Sequence, residues 1–171
     1  AVRRDLDPSR VRRLPTDPST GAAVLLPLKE WIAKGEVGAV SLMAANNETG
    51  ALQAWREASD LCREAGIPFH TDAAQWIGKL PVAGLGHAGY VTGSGHKFGG
   101  GKGVGFLILP EDEGGAPFHG LVGGPQEDGR RAGTENLPGI AAMVTALLER
   151  DEARLADWEE CQGKWRDAFE S

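Results

Sequence analysis

Residues 69–105 read FHTDAAQWIGKLPVAGLGHAGYVTGSGHKFGGGKGVG. Two short apolar runs each end in a polar cluster, His70, Thr71 and Asp72 first, then Ser94, Gly95, His96 and Lys97, with further glycines behind the lysine. Each cluster falls where a strand should stop. Asp72 and Lys97, 25 residues apart in the chain, are therefore both expected at strand ends. In an open α/β sheet the carboxyl ends of parallel strands are where ligands bind. The chemistry is expected there.

Outward from this stretch the pattern is strand, helix, strand. Residues 37–43 (VGAVSLM) form a nearly continuous apolar run of the kind buried on both faces of a parallel sheet, and they lead into the polar loop 44–50 (AANNETG). A helix is predicted over 52–65, with Trp55, Ala58, Cys62 and Ala65 on one apolar stripe, Gly66 just past its end and Pro68 beyond. Residues 67–70 begin the next strand and deliver Asp72, completing a βαβ unit. Residues 90–92 then lead into the lysine turn and residues 104–109 (VGFLIL) follow it as a strand. A tight turn between short strands predicts a hairpin. The fold class is α/β, a mostly parallel mixed sheet flanked by helices.

Upstream, residues 11–14 are predicted as a short strand before the turn formers of 17–21, and residues 28–34 as a short helix closed by Gly35. Downstream, residues 110–135 form a long glycine-rich loop, a length that in a compact domain is usually functional or mobile. From Pro138 onward the pattern is helical, with Ile140, Val144, Leu147, Leu155, Trp158 and Trp165 on an apolar face and a charged interruption at 149–152.

The 171 residues suffice for one ordinary domain, and 41% hydrophobic with 25% charged residues is the composition of a soluble globular chain. A net charge of −6 argues against a broad nucleic-acid surface; the basic segment from Arg3 to Arg13 lacks aromatic residues and reads as a solvated face. No apolar run approaches the roughly 20 residues that cross a bilayer, so no membrane partner is expected. Cys62 and Cys161 make neither a disulfide framework nor a metal motif, which points to a reducing, cytoplasmic setting. The chain opens at Ala1 and is expected to be a piece of something longer.

Glycines around Lys97 let the backbone approach a ligand, and a lysine held near apolar strands is a nucleophile able to form a Schiff base. Taken alone it reads more readily as an exposed lysine in a glycine-rich turn. The GKG at 101–103 lacks the glycine spacing and the Ser or Thr of a Walker loop. Asp72 alone reads as a cap or turn residue. Beside a nucleophilic lysine it gains another role, because a carboxylate keeps a pyridinium nitrogen protonated, as pyridoxal phosphate requires. Ser94 and His96 offer a hydroxyl and an imidazole to a phosphate, and Gln75 and Asn47 offer amides to the ring oxygen, although each amide alone reads as loop-stabilising. His70 is as readily a satisfied core or supporting histidine. The spacing of His70, Asp72, His87 and His96 matches no metal motif, so no metal is expected.

Four motifs occur in order: NNETG at 46–50, HTDAAQ at 70–75, SGHKF at 94–98 with GVG at 103–105, and GRRAGTEN at 129–136. Together they resemble the cysteine desulfurases, of the class V aminotransferase group of fold-type I pyridoxal-phosphate enzymes, from about residue 11 to the C-terminus. The resemblance implies an incomplete fold-type I large domain over 1–138 and a helix over 139–171 leading to a small domain. It implies Lys97 as the Schiff-base residue and Asp72 as the partner of the pyridine nitrogen. Asn47 and Gln75 match positions near the ring oxygen, and Ser94 and His96 match phosphate contacts. Thr134 resembles the residue that reaches the cofactor phosphate of a neighbouring subunit, which implies a homodimer.

The implied reaction takes sulfur from L-cysteine, leaving L-alanine and an enzyme persulfide on a loop cysteine, for delivery to a sulfur acceptor or an iron–sulfur scaffold protein. The family's phosphate loop and ring-stacking histidine are not found before residue 11, and its sulfur-accepting cysteine and substrate-binding arginine belong to the small domain. Cys62 and Cys161 match neither and read as packing residues. Asp128 stands where a basic residue is common, and Gly100 and Gly101 replace bulkier residues. A selenocysteine lyase, another class V aminotransferase, or a non-catalytic remnant that only folds, dimerises or binds a partner are the alternatives.

Overall fold

The computed structural model describes residues 7–110, 120–149 and 160. One sheet runs in the order β1 (Val40–Ser41), β2 (Phe69–Asp72), β3 (Tyr90–Ser94), β4 (Gly105–Ile108). The first three strands are parallel, and β4 returns antiparallel to β3 through the lysine turn. The helices are α1 (Leu26–Ala33), α2 (Trp55–Glu64) and α3 (Leu137–Leu148). The mixed sheet and the hairpin are those expected.

The crossover helix α2 follows from its stripe. Trp55, Ala58, Ser59 and Cys62 are buried at spacings of three and four, while the exposed face carries charge. It stops where its backbone turns left-handed at Gly66, with φ +66°. There Gly66 N–H donates to the Arg63 carbonyl and Ile67 N–H to the Cys62 carbonyl, at 3.1 and 2.8 Å, the Schellman pairing that satisfies carbonyls at a helix end.

The sheet has unlike faces. Along β2, Phe69 and Thr71 are buried, His70 is half-buried and Asp72 is exposed, a two-residue alternation. Phe69 and Val91 belong to a core with Trp55, Ala58, Cys62, Trp76, Ile77 and Phe98, in which Trp55 and Trp76 pack edge to face at 5.6 Å. The register puts Ser41, His70, Asp72, Thr92 and Ser94 on the opposite face. On that face the His70 imidazole spans three strands, with Nδ1 2.8 Å from Ser41 Oγ and Nε2 3.2 Å from Thr92 Oγ1. Burial lowers the pKa of His70 and the nearby Asp72 carboxylate opposes the shift.

Several boundaries differ from expectation. Residues 11–14 form no strand: Val11, Arg12 and Arg13 are exposed, and the only pairing there is an isolated bridge between Thr16 and Ala23. The run 37–43 contributes only Val40–Ser41 to the sheet and is not buried on both faces, because β1 is an edge strand and Met43 is 42% exposed. In α3 it is Met143 that packs inward, while Val144 and Leu147 are 45% and 40% exposed. The expectations for Leu155, Trp158, Cys161 and Trp165, and for the interruption beyond Glu149, lie outside the described residues. No helix among the described residues is long and apolar enough to cross a membrane.

Gly66 and Gly78 separate two costs of a side chain. Both have positive φ, +66° and +76°, but a Cβ on Gly66 meets nothing within 4 Å, whereas one on Gly78 falls 2.5 Å from Phe98 Cβ. Gly66→Ala is expected to lose about 1–2 kcal/mol, the left-handed penalty alone. Gly78→Ala is expected to lose roughly 1–3 kcal/mol more through overpacking. Denaturant midpoints at a common slope check the order. His70 carries a pH dependence whose sign follows from its lowered pKa: below the ordinary value of 6.5 the unfolded chain takes up a proton that the folded chain resists. Stability is expected to fall as pH drops below that value, and His70→Asn is expected to flatten this part of the profile in the same unfolding measurement.

Candidate active site

The site is assembled by strand pairing. Asp72, the last residue of β2, is paired with Thr92 of β3, and Ala73 N–H donates to the Thr92 carbonyl at 2.9 Å. β3 ends two residues later at Ser94, and the chain at once makes the short 3-10 turn Gly95–Lys97. Asp72 and Lys97 thus leave the carboxyl ends of neighbouring parallel strands. Ala44 N–H donates to the Asp72 carbonyl at 2.8 Å, which seats the loop after β1 beside them.

In that loop Asn46 shapes the turn, its Oδ1 accepting from Glu48 and Thr49 N–H at 2.8 and 3.0 Å. Asn47 is left exposed. Asp72 Oδ1 accepts from Ala74 N–H at 2.9 Å, so the local turn role coexists with an exposed carboxylate. Gln75 is half-buried three residues on. Ser94 Oγ and His96 Nδ1 lie 3.0 Å apart, a hydroxyl–imidazole pair at the base of the lysine turn. The Lys97 side chain is exposed and has no hydrogen-bond or ion-pair partner among the described residues. The turn carries it past the strand end and away from the apolar strands.

Thr134 is exposed in the irregular stretch before α3, and no hydrogen bond among the described residues joins it to the other candidates. The strand edge thus gathers Asp72, Ser94, His96 and Lys97, with Gln75 and Asn47 on adjoining loops, and does not gather Thr134. The glycines of the lysine turn also have a use other than ligand approach. A Cβ on Gly95 would lie 3.0 Å from Met143 Cγ, and one on Gly100 would lie 2.9 Å from Met143 Cα. They make room for α3.

Three residues near the site carry more than the sequence disclosed. Ser41 and Thr92 hold His70, and Lys79 Nζ donates to the Lys97 carbonyl at 3.0 Å. No sequence signal marks the Lys79 bond, since it joins residues 18 apart across two turns. Cys62 is fully buried on α2, and burial pushes its thiol up to about 11, which suits packing and not nucleophilic attack. A cleft of about 210 Å³ lies elsewhere, lined by Trp55, Arg56, Ser59, Asp60, Arg63, Gly84 and His87, none of them a candidate residue.

The donor set fits pyridoxal phosphate in kind: an amine for an aldehyde, a carboxylate for a pyridinium, and hydroxyl, imidazole and amide groups for phosphate and ring oxygens. The family model described as Aminotransferase class-V matches residues 9–162. The cysteine desulfurase of Klebsiella pneumoniae is 44% identical over 139 residues, 80% of this chain and 34% of that protein. The cysteine desulfurase of Sinorhizobium fredii is 48% identical over 112 residues, 64% of this chain and 28% of that one. The solved NifS-like protein from Rickettsia africae superposes with a TM-score of 0.74 at 28% identity, over 89% of this chain and 44% of its own. The chain spans about a third of the length of these curated relatives. It is a member of the class-V aminotransferase family, and its relatives there are cysteine desulfurases.

Proposed function

We propose that this chain is the cofactor-carrying part of a pyridoxal-phosphate-dependent cysteine desulfurase. The observation that carries the reading is the placement of Asp72 and Lys97 at the ends of adjacent parallel strands on one sheet edge. Residues 1–138 are read as part of the large domain and 139–171 as a helix leading to a small domain. The substrate class is L-cysteine, the products are L-alanine and a persulfide, and the sulfur passes to an acceptor or an iron–sulfur scaffold protein.

Bound at this edge, the cofactor supplies an electron sink for the substrate's Cα carbanion. The chain's own groups do the rest. Lys97 offers the amine that holds the aldehyde carbon and, once displaced, a group that moves a proton at the substrate Cα. Asp72 keeps the proton on the pyridine nitrogen, and its turn bond from Ala74 leaves the second carboxylate oxygen for that task. Ser94 and His96 would hold the phosphate, and Gln75 and Asn47 would hold the ring oxygen. Thr134 is read as reaching the phosphate of a neighbouring subunit's cofactor, which makes the assembly a homodimer.

The sulfur-accepting thiol is not Cys62, whose buried thiol resists ionisation. That observation favours a second reading, a chain that folds and binds cofactor or partner without turnover. The two readings differ in sulfide release from cysteine with a reductant, measured on a full-length protein that carries this segment: a desulfurase releases sulfide and a non-catalytic protein does not.

The cofactor reading has its own test. Incubation with pyridoxal phosphate followed by borohydride reduction is expected to add one pyridoxyl group to the wild-type chain and none at position 97 in Lys97→Ala, read by intact mass and peptide mapping. Asp72→Asn is expected to keep the attachment and raise the cofactor Kd by about ten- to a hundredfold, the effect of losing one charge-assisted hydrogen bond worth roughly 1.5–3 kcal/mol. Equal labelling of wild type and Lys97→Ala overturns the reading.

A further inference from the structure

The segment that leaves Asp72 turns back onto the segment that carries Lys97. Residues 73–80 coil through two turns, closed by Ile77 N–H to the Ala73 carbonyl at 2.9 Å and Leu80 N–H to the Trp76 carbonyl at 3.0 Å. The coil meets the lysine turn at two consecutive residues. Gly78, which is buried, leaves the space that Phe98 Cβ occupies, and Phe98 is itself only 1% exposed. Lys79 then places its ammonium on the carbonyl of Lys97 at 3.0 Å.

We propose that Lys79 is a positioning residue for the Lys97 amine. The proposal rests on the reading of Lys97 as the residue that holds the cofactor. Its physical basis is the geometry of the 3-10 turn Gly95–Lys97. Inside that turn Phe98 N–H and Gly100 N–H both return to the Gly95 carbonyl, at 3.2 and 2.9 Å, so neither closes on the carbonyl of Lys97. The last carbonyls of a helical turn lack partners of their own and need one supplied.

The Lys79 ammonium supplies it with a charge-assisted bond. A carbonyl held in direction fixes the peptide plane of its residue, and with it the direction in which Cα sends the side chain. Two anchors, one apolar at Gly78 and Phe98 and one polar at Lys79 and Lys97, thereby tie the strand end bearing the carboxylate to the turn bearing the amine. The Gly78–Phe98 anchor joins the segments by packing. Lys79 is the contact that acts on residue 97 itself.

The test is the rate and position of cofactor attachment. The chain, Lys79→Met and Lys79→Arg are each mixed with limiting pyridoxal phosphate, quenched with borohydride at short times, and mapped by peptide mass spectrometry; unfolding midpoints of the cofactor-free chains are measured in parallel. Wild type is expected to label at Lys97. Lys79→Met is expected to label Lys97 on the order of tenfold more slowly, since misplacing a reacting group lowers its effective concentration steeply. Lys79→Arg, which keeps a cationic donor, is expected to restore most of the rate. Unfolding midpoints are expected to agree within about 2 °C.

Labelling of Lys79→Met at the wild-type rate overturns the proposal, as does a failure of Lys79→Arg to restore it. A larger fall in the cofactor-free midpoint of Lys79→Met also overturns it, because the residue then acts through stability. Absence of label at Lys97 in the wild-type chain is a different failure, that of the cofactor reading itself.

Discussion

The parallel pairing of β2 with β3, with His70, Thr71 and Asp72 set against Tyr90, Val91 and Thr92, is the constraint on which the rest depends. Parallel strands cannot be joined by a tight turn, so the chain must travel back along the sheet between them. It does so through residues 73–89, and both strands then run out at the same edge. A carboxylate at the end of one and an amine just past the end of the other are consequences of that register. Because side chains alternate along a strand, a one-residue slip would turn Asp72 into the core and bring Thr71 to the open face.

What holds the register is different on the two faces. On the packed face Phe69 and Val91 sit under α2 with Trp55, Ala58 and Cys62, all of them at most 4% exposed, and apolar burial at about 25 cal/mol per Å² makes any slip expensive. On the open face the link is polar: one imidazole between two hydroxyls, bridging β1, β2 and β3. A polar row suits a face that carries a site, because it fixes strand positions without an apolar layer covering them. Asp72, His96 and Lys97 are correspondingly exposed, and the supporting His70 is drawn inward, where burial lowers its pKa.

Much of this was legible in the sequence where the signal was local. The stripe of α2, its stop at Gly66, the hairpin through the lysine and the location of Asp72 at a strand end all follow from spacing and turn chemistry within about 15 residues. The misplacements arose where tertiary context decides. The run 37–43 has the composition of a central strand and becomes a two-residue edge, since nothing within it says which strands will flank it. In α3 the apolar residues leave several faces available, and the close approach of Gly95 and Gly100 selects Met143 as the inward one. Lys79 was invisible because a lysine in an exposed turn looks the same with or without a carbonyl waiting for it. His70 was ambiguous for the same reason, and only the strand register puts Ser41 and Thr92 beside it.

The central claim is that one cofactor spans Asp72 and Lys97, and a crystal structure of the borohydride-reduced chain with pyridoxal phosphate tests it most directly. The account predicts continuous density from Lys97 Nζ to the cofactor and a pyridine nitrogen within about 2.7–3.2 Å of an Asp72 carboxylate oxygen. Cofactor found instead in the cleft beside Arg56, Arg63 and His87, or attached to another lysine with Asp72 facing solvent, would contradict it.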